Sequence, residues 1–183
     1  MAWEPWTGCY TCFTTDFFLP DADEWRAEAW SIIKHRPDLT FLFLTKRIDR
    51  FLVSLPEDWG DGYDNVRIGC TVENRETADY RLPLYTSYPI KHRWIICGPL
   101  LGEVDLSPYL HAVESVRVSG ESGRDARPLD YDWVLSIREQ CVKAGVSFSF
   151  NGTGSRFIKD GVLHKVNPYK QRSTARDMGI DIG

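Results

Sequence analysis

A chain of 183 residues that is 43% hydrophobic and 26% charged has the composition of an ordinary globular domain, which excludes a disordered tract. It is short for a closed eight-stranded α/β barrel, which takes about 250 residues. A net charge of −4 argues against a protein built to coat nucleic acid or an anionic membrane, and no apolar run approaches the roughly 20 residues that span a bilayer.

The start, Met1-Ala2-Trp3-Glu4-Pro5-Trp6, lacks the basic opening and apolar core of a signal peptide, so a cytoplasmic location is expected. The first apolar stretch, residues 10–14, ends in Thr15-Asp16. Pro20, Asp21 and Glu24 then announce a helix, with Asp21 and Glu24 at capping-box spacing and Trp25, Ala29, Ile32 and Ile33 on one face until Pro37. Residues 39–44 are almost all apolar and read as a strand buried on both faces, as in parallel sheets. A helix is expected from Ile48 to before Pro56. After a Gly- and Asp-rich loop comes a strand over 66–72, then Asn74 as an N-cap and a helix carrying Ala78 and Leu82. Residues 94–97 form the next strand, and the crossover after it, broken by Gly98, Pro99 and Gly102, is the least regular.

Strands over 116–118 and 146–150 flank a helix that starts at Asp130 and carries Trp133, Val134, Ile137, Cys141 and Ala144 until Gly145 stops it. Residues 158–163 read as a hairpin with Asp160-Gly161 at its turn, followed by a polar tail. Strands alternating with helices point to β-α-β units and a parallel sheet. The fold class is therefore α/β, a partial (β/α) barrel of about six units over residues 1–155, with a hairpin and basic tail over 156–183. A doubly wound sheet competes, but no Gly-x-Gly-x-x-Gly follows the first strand and polar tips recur along the whole chain.

Ligands of such barrels are handled where strands end and loops begin. Lys46 and Arg47 follow a buried strand and would suit a carboxylate or phosphate, or else pair at the surface with Asp49. Glu73 can act as a base or hold an amine, and Asn74 either caps its helix or contacts ligand. The loop Ser119-Gly120-Glu121-Ser122-Gly123 joins flexible backbone to one carboxylate, with Arg124 and Arg127 close behind. Of the five cysteines, Cys70, Cys97 and Cys141 sit in apolar elements and read as reduced thiols. Cys9 and Cys12 form a Cys-x-x-Cys, a metal-ligand spacing with no second pair or neighbouring histidine. The seven tryptophans fill the core or line a cleft. Arg156, Lys159, Lys165, Lys170, Arg172 and Arg176 make a basic segment, a solvated surface or, alternatively, a contact for a polyanion.

Five motifs in order, Trp3-Glu4-Pro5-Trp6-Thr7-Gly8-Cys9, Leu44-Thr45-Lys46-Arg47, Gly69-Cys70-Thr71-Val72-Glu73-Asn74, Cys97-Gly98-Pro99-Leu100-Leu101-Gly102 and Gly120-Glu121-Ser122-Gly123, resemble an uncharacterised phage and bacterial family with a three-cysteine motif, related to radical S-adenosylmethionine enzymes. The resemblance implies a partial barrel whose three cysteines hold a [4Fe–4S] cluster and whose tips bind S-adenosylmethionine. Carried over to this chain, it makes Lys46, Glu73 and Glu121 the catalytic candidates. The cofactor-binding candidates are Lys46, Arg47, Asn74, Gly120, Ser122 and Gly123; of the metal-binding candidates Cys9 and Cys12, the resemblance matches Cys9 alone, and Cys12, which corresponds to a position in the family's later strand, joins it only through the Cys-x-x-Cys spacing. The chain departs from the pattern: it passes from Cys9 and Tyr10 directly into a later strand, without the segment holding the second and third cysteines. Gly98 stands where the family usually has a glutamate, and Asn151 where it usually has a lysine.

Two readings follow. In one, this is a shortened, cluster-deficient phage or mobile-element protein that binds a host protein, such as a defence-system component, and carries neither cofactor. In the other, it is an S-adenosylmethionine-dependent iron–sulfur enzyme of unknown substrate. No membrane partner is expected, and nucleic acid only through residues 156–176.

Overall fold

Six strands lie side by side in chain order: β1 (Gly8–Thr11), β2 (Thr40–Thr45), β3 (Val66–Thr71), β4 (His92–Cys97), β5 (Ser115–Ser119) and β7 (Ser147–Gly152). Every neighbouring pair is parallel, and the sheet curls into half of a barrel. The order never reverses, so there is no switch point and the doubly wound alternative is excluded. This is a computed structural model that describes residues 8–12, 14–53 and 55–183. Residues 1–7, which hold most of the first motif, and Phe13 of the expected first strand lie outside the described residues.

The first strand ends at Thr11, earlier than its apolar run suggests. Cys12 adopts a left-handed backbone (φ 55°) and its carbonyl accepts from Thr15 N at 3.0 Å, which turns the chain. Helix α1 (Asp23–Lys34) starts two residues after Asp21, because Pro20–Ala22 winds into a 3₁₀ turn and the Ala22 N-cap has no side-chain bond. The expected capping box is absent. The buried face is also rotated by about one residue from the expected one: Arg26, Trp30 and Ile33 are buried, while Trp25 and Ile32 are exposed. The reason is Arg26, whose guanidinium donates to the carbonyls of Phe17 (3.1 Å) and Leu19 (2.9 Å) and to Asp23 (2.5 Å). It thereby ties the turn before the helix to the helix face, sharing Leu19 O with Ala22 N (3.1 Å).

The helix expected from Ile48 is one 3₁₀ turn, Ile48–Arg50, followed by exposed Leu52 and Val53. The Arg50 guanidinium donates to Phe18 O and Asp23, tying this crossover to the first. Helix α2 (Arg75–Ser87) has the expected Asn74 cap, with Thr77 N donating to Asn74 Oδ1 at 3.0 Å and Thr77 Oγ1 completing the reciprocal box. Its buried Tyr85 hydroxyl donates to Ile68 O at 2.5 Å and accepts from Trp94 N at 2.9 Å, bridging β3 and β4. The β4–β5 crossover carries only a 3₁₀ turn, Leu110–Ala112, as its broken sequence suggests.

Helix α3 (Tyr131–Ala144) begins at an Asp130 cap and ends at Gly145, which takes the left-handed conformation (φ 68°). A second, small sheet joins β6 (Leu129–Asp130), β8 (Arg156–Lys159) and β9 (Val162–Lys165), the last two forming the expected hairpin across Asp160 and Gly161, both at positive φ. The polar tail is in fact helix α4 (Gln171–Asp177), which turns Gln171 and Ala175 inward against β7 and leaves Arg172 and Arg176 exposed. Beyond it, Ile182 pairs with Phe148 across the β7 edge.

The two faces of the large sheet differ. Phe41, Phe43, Val66, Ile68, Cys70, Ile95, Cys97, Val116, Val118, Phe148 and Phe150 point to the helix side and form one core with Trp30, Trp59, Leu82, Ile137 and Cys141. The alternate positions, including Arg67, Gly69, Trp94, Arg117, Ser147 and Ser149, point to the hollow side. Strand β2 puts Leu42 and Leu44 on that side and is apolar on both faces, as its sequence suggests.

Candidate functional site

Parallel strands in chain order bring all their C-terminal ends to one rim. At its first position sits Asp16, buried, whose carboxylate accepts from Phe18 N (3.0 Å), Thr45 Oγ1 (2.9 Å) and Lys46 N (2.9 Å). Three donors from two tips converge on one carboxylate, so the loop after β1 and the loop after β2 are locked together. Arg47 Nη1 lies 3.7 Å from the same group, making Asp16, and not Asp49, its ion partner.

Lys46 reaches the next tip. Its Nζ is 2.5 Å from Glu73 Oε1, while Arg81 Nη1, two turns along α2, is 2.8 Å from Glu73 Oε2 and 2.6 Å from Thr71 O. Glu73 keeps only 10% of its side chain exposed, and its backbone is engaged too, with N donating to Thr77 Oγ1 and O accepting from Leu101 N at 2.7 Å. Asn74 is committed to the helix cap.

Farther round, Glu121 accepts from Arg127 through both carboxylate oxygens, at 2.8 and 2.9 Å, and from Arg127 N at 2.7 Å. The Arg127 bonds pull its carboxyl down to about 2, with a smaller contribution from the charge of Lys46. Lys46 therefore lies within electrostatic reach of both Glu73 and Glu121, and the three catalytic candidates share one neighbourhood.

The glycine loop is explained by packing. A Cβ on Gly120 would lie 2.4 Å from Thr153 O, so the β5 and β7 tips touch backbone to backbone at this point. Gly120 N donates to Gly152 O (2.9 Å), Ser155 N to Glu121 O (2.8 Å), and Gly123 N to Ser155 Oγ (2.9 Å). Ser122 Oγ bonds Gln171 Oε1 at 2.6 Å, and Gln171 Nε2 bonds Ser155 Oγ at 3.0 Å, which draws α4 into the same seam. At Gly98, a Cβ would meet Ser119 Oγ at 2.9 Å, so that tip has no room for a larger side chain without moving Ser119.

Cys9 is exposed on β1 and Cys12 half-buried beyond it; burial, and next the charge of Asp16, push the Cys12 thiol up. Cys70 and Cys97 are buried on the helix side of the sheet, and Cys141 is buried on α3 in the same core. Among the described residues no three His, Cys, Asp or Glu side chains gather closely enough to hold a metal ion. No described helix is long and apolar enough to cross a membrane.

Three residues of this rim were not found from sequence: Arg81, Ser155 and Gln171. Arg81 was not given by helical spacing, because Glu73 precedes the Asn74 cap and lies outside the helix. Gln171 carried no signal, because only the fold brings residue 171 beside residue 122.

Fold and rim together define an open α/β half-barrel whose C-terminal edge is a lattice of ion pairs. The chain belongs to the family described as "Protein of unknown function (DUF5131)", whose model matches residues 1–178. Comparison with curated proteins gave no match, and neither did comparison with solved structures.

Proposed function

We propose that the protein acts by binding a partner protein at this rim, on a scaffold of radical S-adenosylmethionine ancestry that has lost its cluster-holding segment. One observation carries the reading: each catalytic candidate is already paired, Lys46 with Glu73, Glu73 with Arg81, and Glu121 with Arg127. A carboxyl held near 2 stays ionised at neutral pH and is a poor proton donor or acceptor there. Fixed, alternating charges on a rigid edge suit recognition of a charged protein surface, where they steer encounter and set register. Following the family resemblance, the partner is a host protein, with defence-system components the first to test, and the chain is of phage or mobile-element origin.

The alternative is an S-adenosylmethionine-dependent iron–sulfur enzyme, which the consecutive parallel strand order favours as an ancestry. The donor set of the described residues does not fit the cluster. Thiolates are its ligands, and only Cys9 and Cys12 lie at the β1 end, the other three being buried in the helix-side core.

Two measurements test the proposal. Iron and sulfide analysis of protein purified without oxygen should find neither in stoichiometric amount. Co-purification from host cells should recover a protein that is lost when Arg127→Glu reverses one rim charge. Stoichiometric iron together with cleavage of S-adenosylmethionine would overturn it, and so would a partner that binds the Arg127→Glu variant equally well.

A further inference from the structure

From β8 to the end of α4, the chain twice places cations where local energetics disfavour them. Across the hairpin, Arg156 stands directly opposite Lys165 and Ile158 opposite Leu163, which puts the two cations side by side on the face turned away from buried Phe157. On α4, Arg172 and Arg176 are four residues apart, so they share one exposed face about 6 Å from each other along the axis. Like charges at either spacing are destabilising. No acid relieves them: Arg156, Lys165, Lys170, Arg172 and Arg176 make no ion pair and no side-chain hydrogen bond among the described residues. Within the same segment, Asp160 is engaged by Lys159 at 2.7 Å, and Asp177 lies past Arg176 at the helix end. Elsewhere exposed cations lie beside carboxylates, Lys34 with Asp58, Arg36 with Asp38, Lys91 with Asp64 and Lys143 with Glu139. Unpaired cations gathered on one surface of a chain with net charge −4 break the local rule without a compensating contact, which marks a surface kept for an anionic partner.

Between the two pairs in the chain stands Tyr169, 96% exposed. Its backbone is fixed in a 3₁₀ turn, Pro168–Lys170, where Asn167 Oδ1 accepts from Tyr169 N at 3.0 Å and Asn167 O from Lys170 N at 2.8 Å. The ring is thus held out in water by an ordered turn and adds nothing to the core. Hairpin, turn and helix are also fastened to one another. Val166 N donates to Ser155 O at 3.0 Å, and Gln171 Nε2 at the start of α4 donates to Ser155 Oγ at 3.0 Å. A lipid surface suits this arrangement poorly, because α4 turns Gln171 and Ala175 toward the protein and so keeps its small apolar side away from any bilayer. Cations set around an outward-facing aromatic ring are instead the pattern that tracks a phosphate backbone while a base stacks on the ring.

We propose that the surface formed by the β8–β9 hairpin, the Pro168–Lys170 turn and α4 binds single-stranded nucleic acid, with Arg156, Lys165, Lys170, Arg172 and Arg176 on phosphates and Tyr169 stacked on a base. It adjoins the rim, to which Gln171 ties it through Ser122, but does not depend on the function proposed there. Fluorescence anisotropy of the whole chain with labelled oligothymidylate, oligouridylate and a DNA duplex separates DNA from RNA and single strand from double. At least one single strand should bind, and more tightly than the duplex. With each of these cations on a phosphate, the affinity should fall about a hundredfold between about 50 and about 200 mM salt. Tyr169→Ala removes a ring that packs on nothing in the core and should weaken binding by about fivefold to a hundredfold. Arg176→Glu should weaken binding severalfold and flatten the salt dependence, whereas Lys143→Glu, an equal change of net charge on α3, should do neither. Absence of binding to both single strands at low salt, tighter binding of the duplex, unchanged binding by Tyr169→Ala, or equal weakening by Lys143→Glu and Arg176→Glu overturns the proposal. So does sedimentation with phosphatidylserine vesicles without binding to either oligomer, which would make this a membrane-facing surface.

Discussion

Replacing Gly120 with alanine tests the closeness of the β5 and β7 tips. The new methyl would stand 2.4 Å from Thr153 O, 2.8 Å from Thr153 C and 3.0 Å from Gly154 Cα, all backbone atoms that no rotamer change can move. Restoring an ordinary contact requires the tips to part by about 1 Å. The bonds from Gly120 N to Gly152 O (2.9 Å) and from Ser155 N to Glu121 O (2.8 Å) cross this seam and would be lost. At about 1 kcal/mol each, plus about 1–3 kcal/mol for overpacking, the cost is about 3–5 kcal/mol. For a chain of this size, that lowers Tm by about 6–20 °C. Gly102 is the matched control at the same rim, since a Cβ there meets only Asn74 Cβ at an ordinary 3.6 Å. Thermal unfolding followed by circular dichroism should show Gly102→Ala within about 2 °C of the parent and Gly120→Ala far below it. If the two variants melt together, the tips are not in contact and the account of the glycine loop fails.

The Glu121 carboxyl, held at about 2 in the folded chain against an ordinary value of 4.5, contributes stability that is present above about 4.5 and lost as the pH falls toward 2. In Arg127→Ala, which keeps the backbone N–H at that position, a carboxyl carbon titration by NMR should show the Glu121 midpoint rising part of the way toward its ordinary value, and an unchanged midpoint would contradict the assigned pairing. Asn74→Ala removes the cap of α2 and should cost about 1 kcal/mol in urea unfolding without changing the slope. Tyr85→Phe strips a buried hydroxyl from Ile68 O and Trp94 N and should cost about 1–3 kcal/mol, whereas a neutral result would mean that water replaces it.

Local signals were legible wherever one residue decides its own surroundings. Asn74 and Asp130 cap their helices, Gly145 ends one, and Asp160-Gly161 turns the hairpin, because caps and positive-φ turns need only a few neighbouring residues. Reading failed where a distant partner decided. No hydrophobic pattern selects Arg26 for the core face of α1, since its burial depends on carbonyls of the preceding turn. The bond from Arg50 Nε to Phe18 O likewise depends on a residue far away in the sequence. The candidate residues at the rim were found, but their pairing was not: Lys46 meets Glu73 and Arg47 meets Asp16 because neighbouring strands end level with one another.

By itself the sequence determined the alternation of strands and helices, the parallel sheet, and the gathering of Lys46, Glu73 and Glu121 at strand ends. These follow from periodicity and from the fact that parallel strands share one C-terminal edge. Only the tertiary structure decided that those groups neutralise one another, that Gly120 is glycine because Thr153 lies against it, and that Arg117 and the serines line an open hollow. Alternation says which residues share a face of a strand. Which face meets helices and which meets the hollow is settled only when the sheet curls and one side takes the helices.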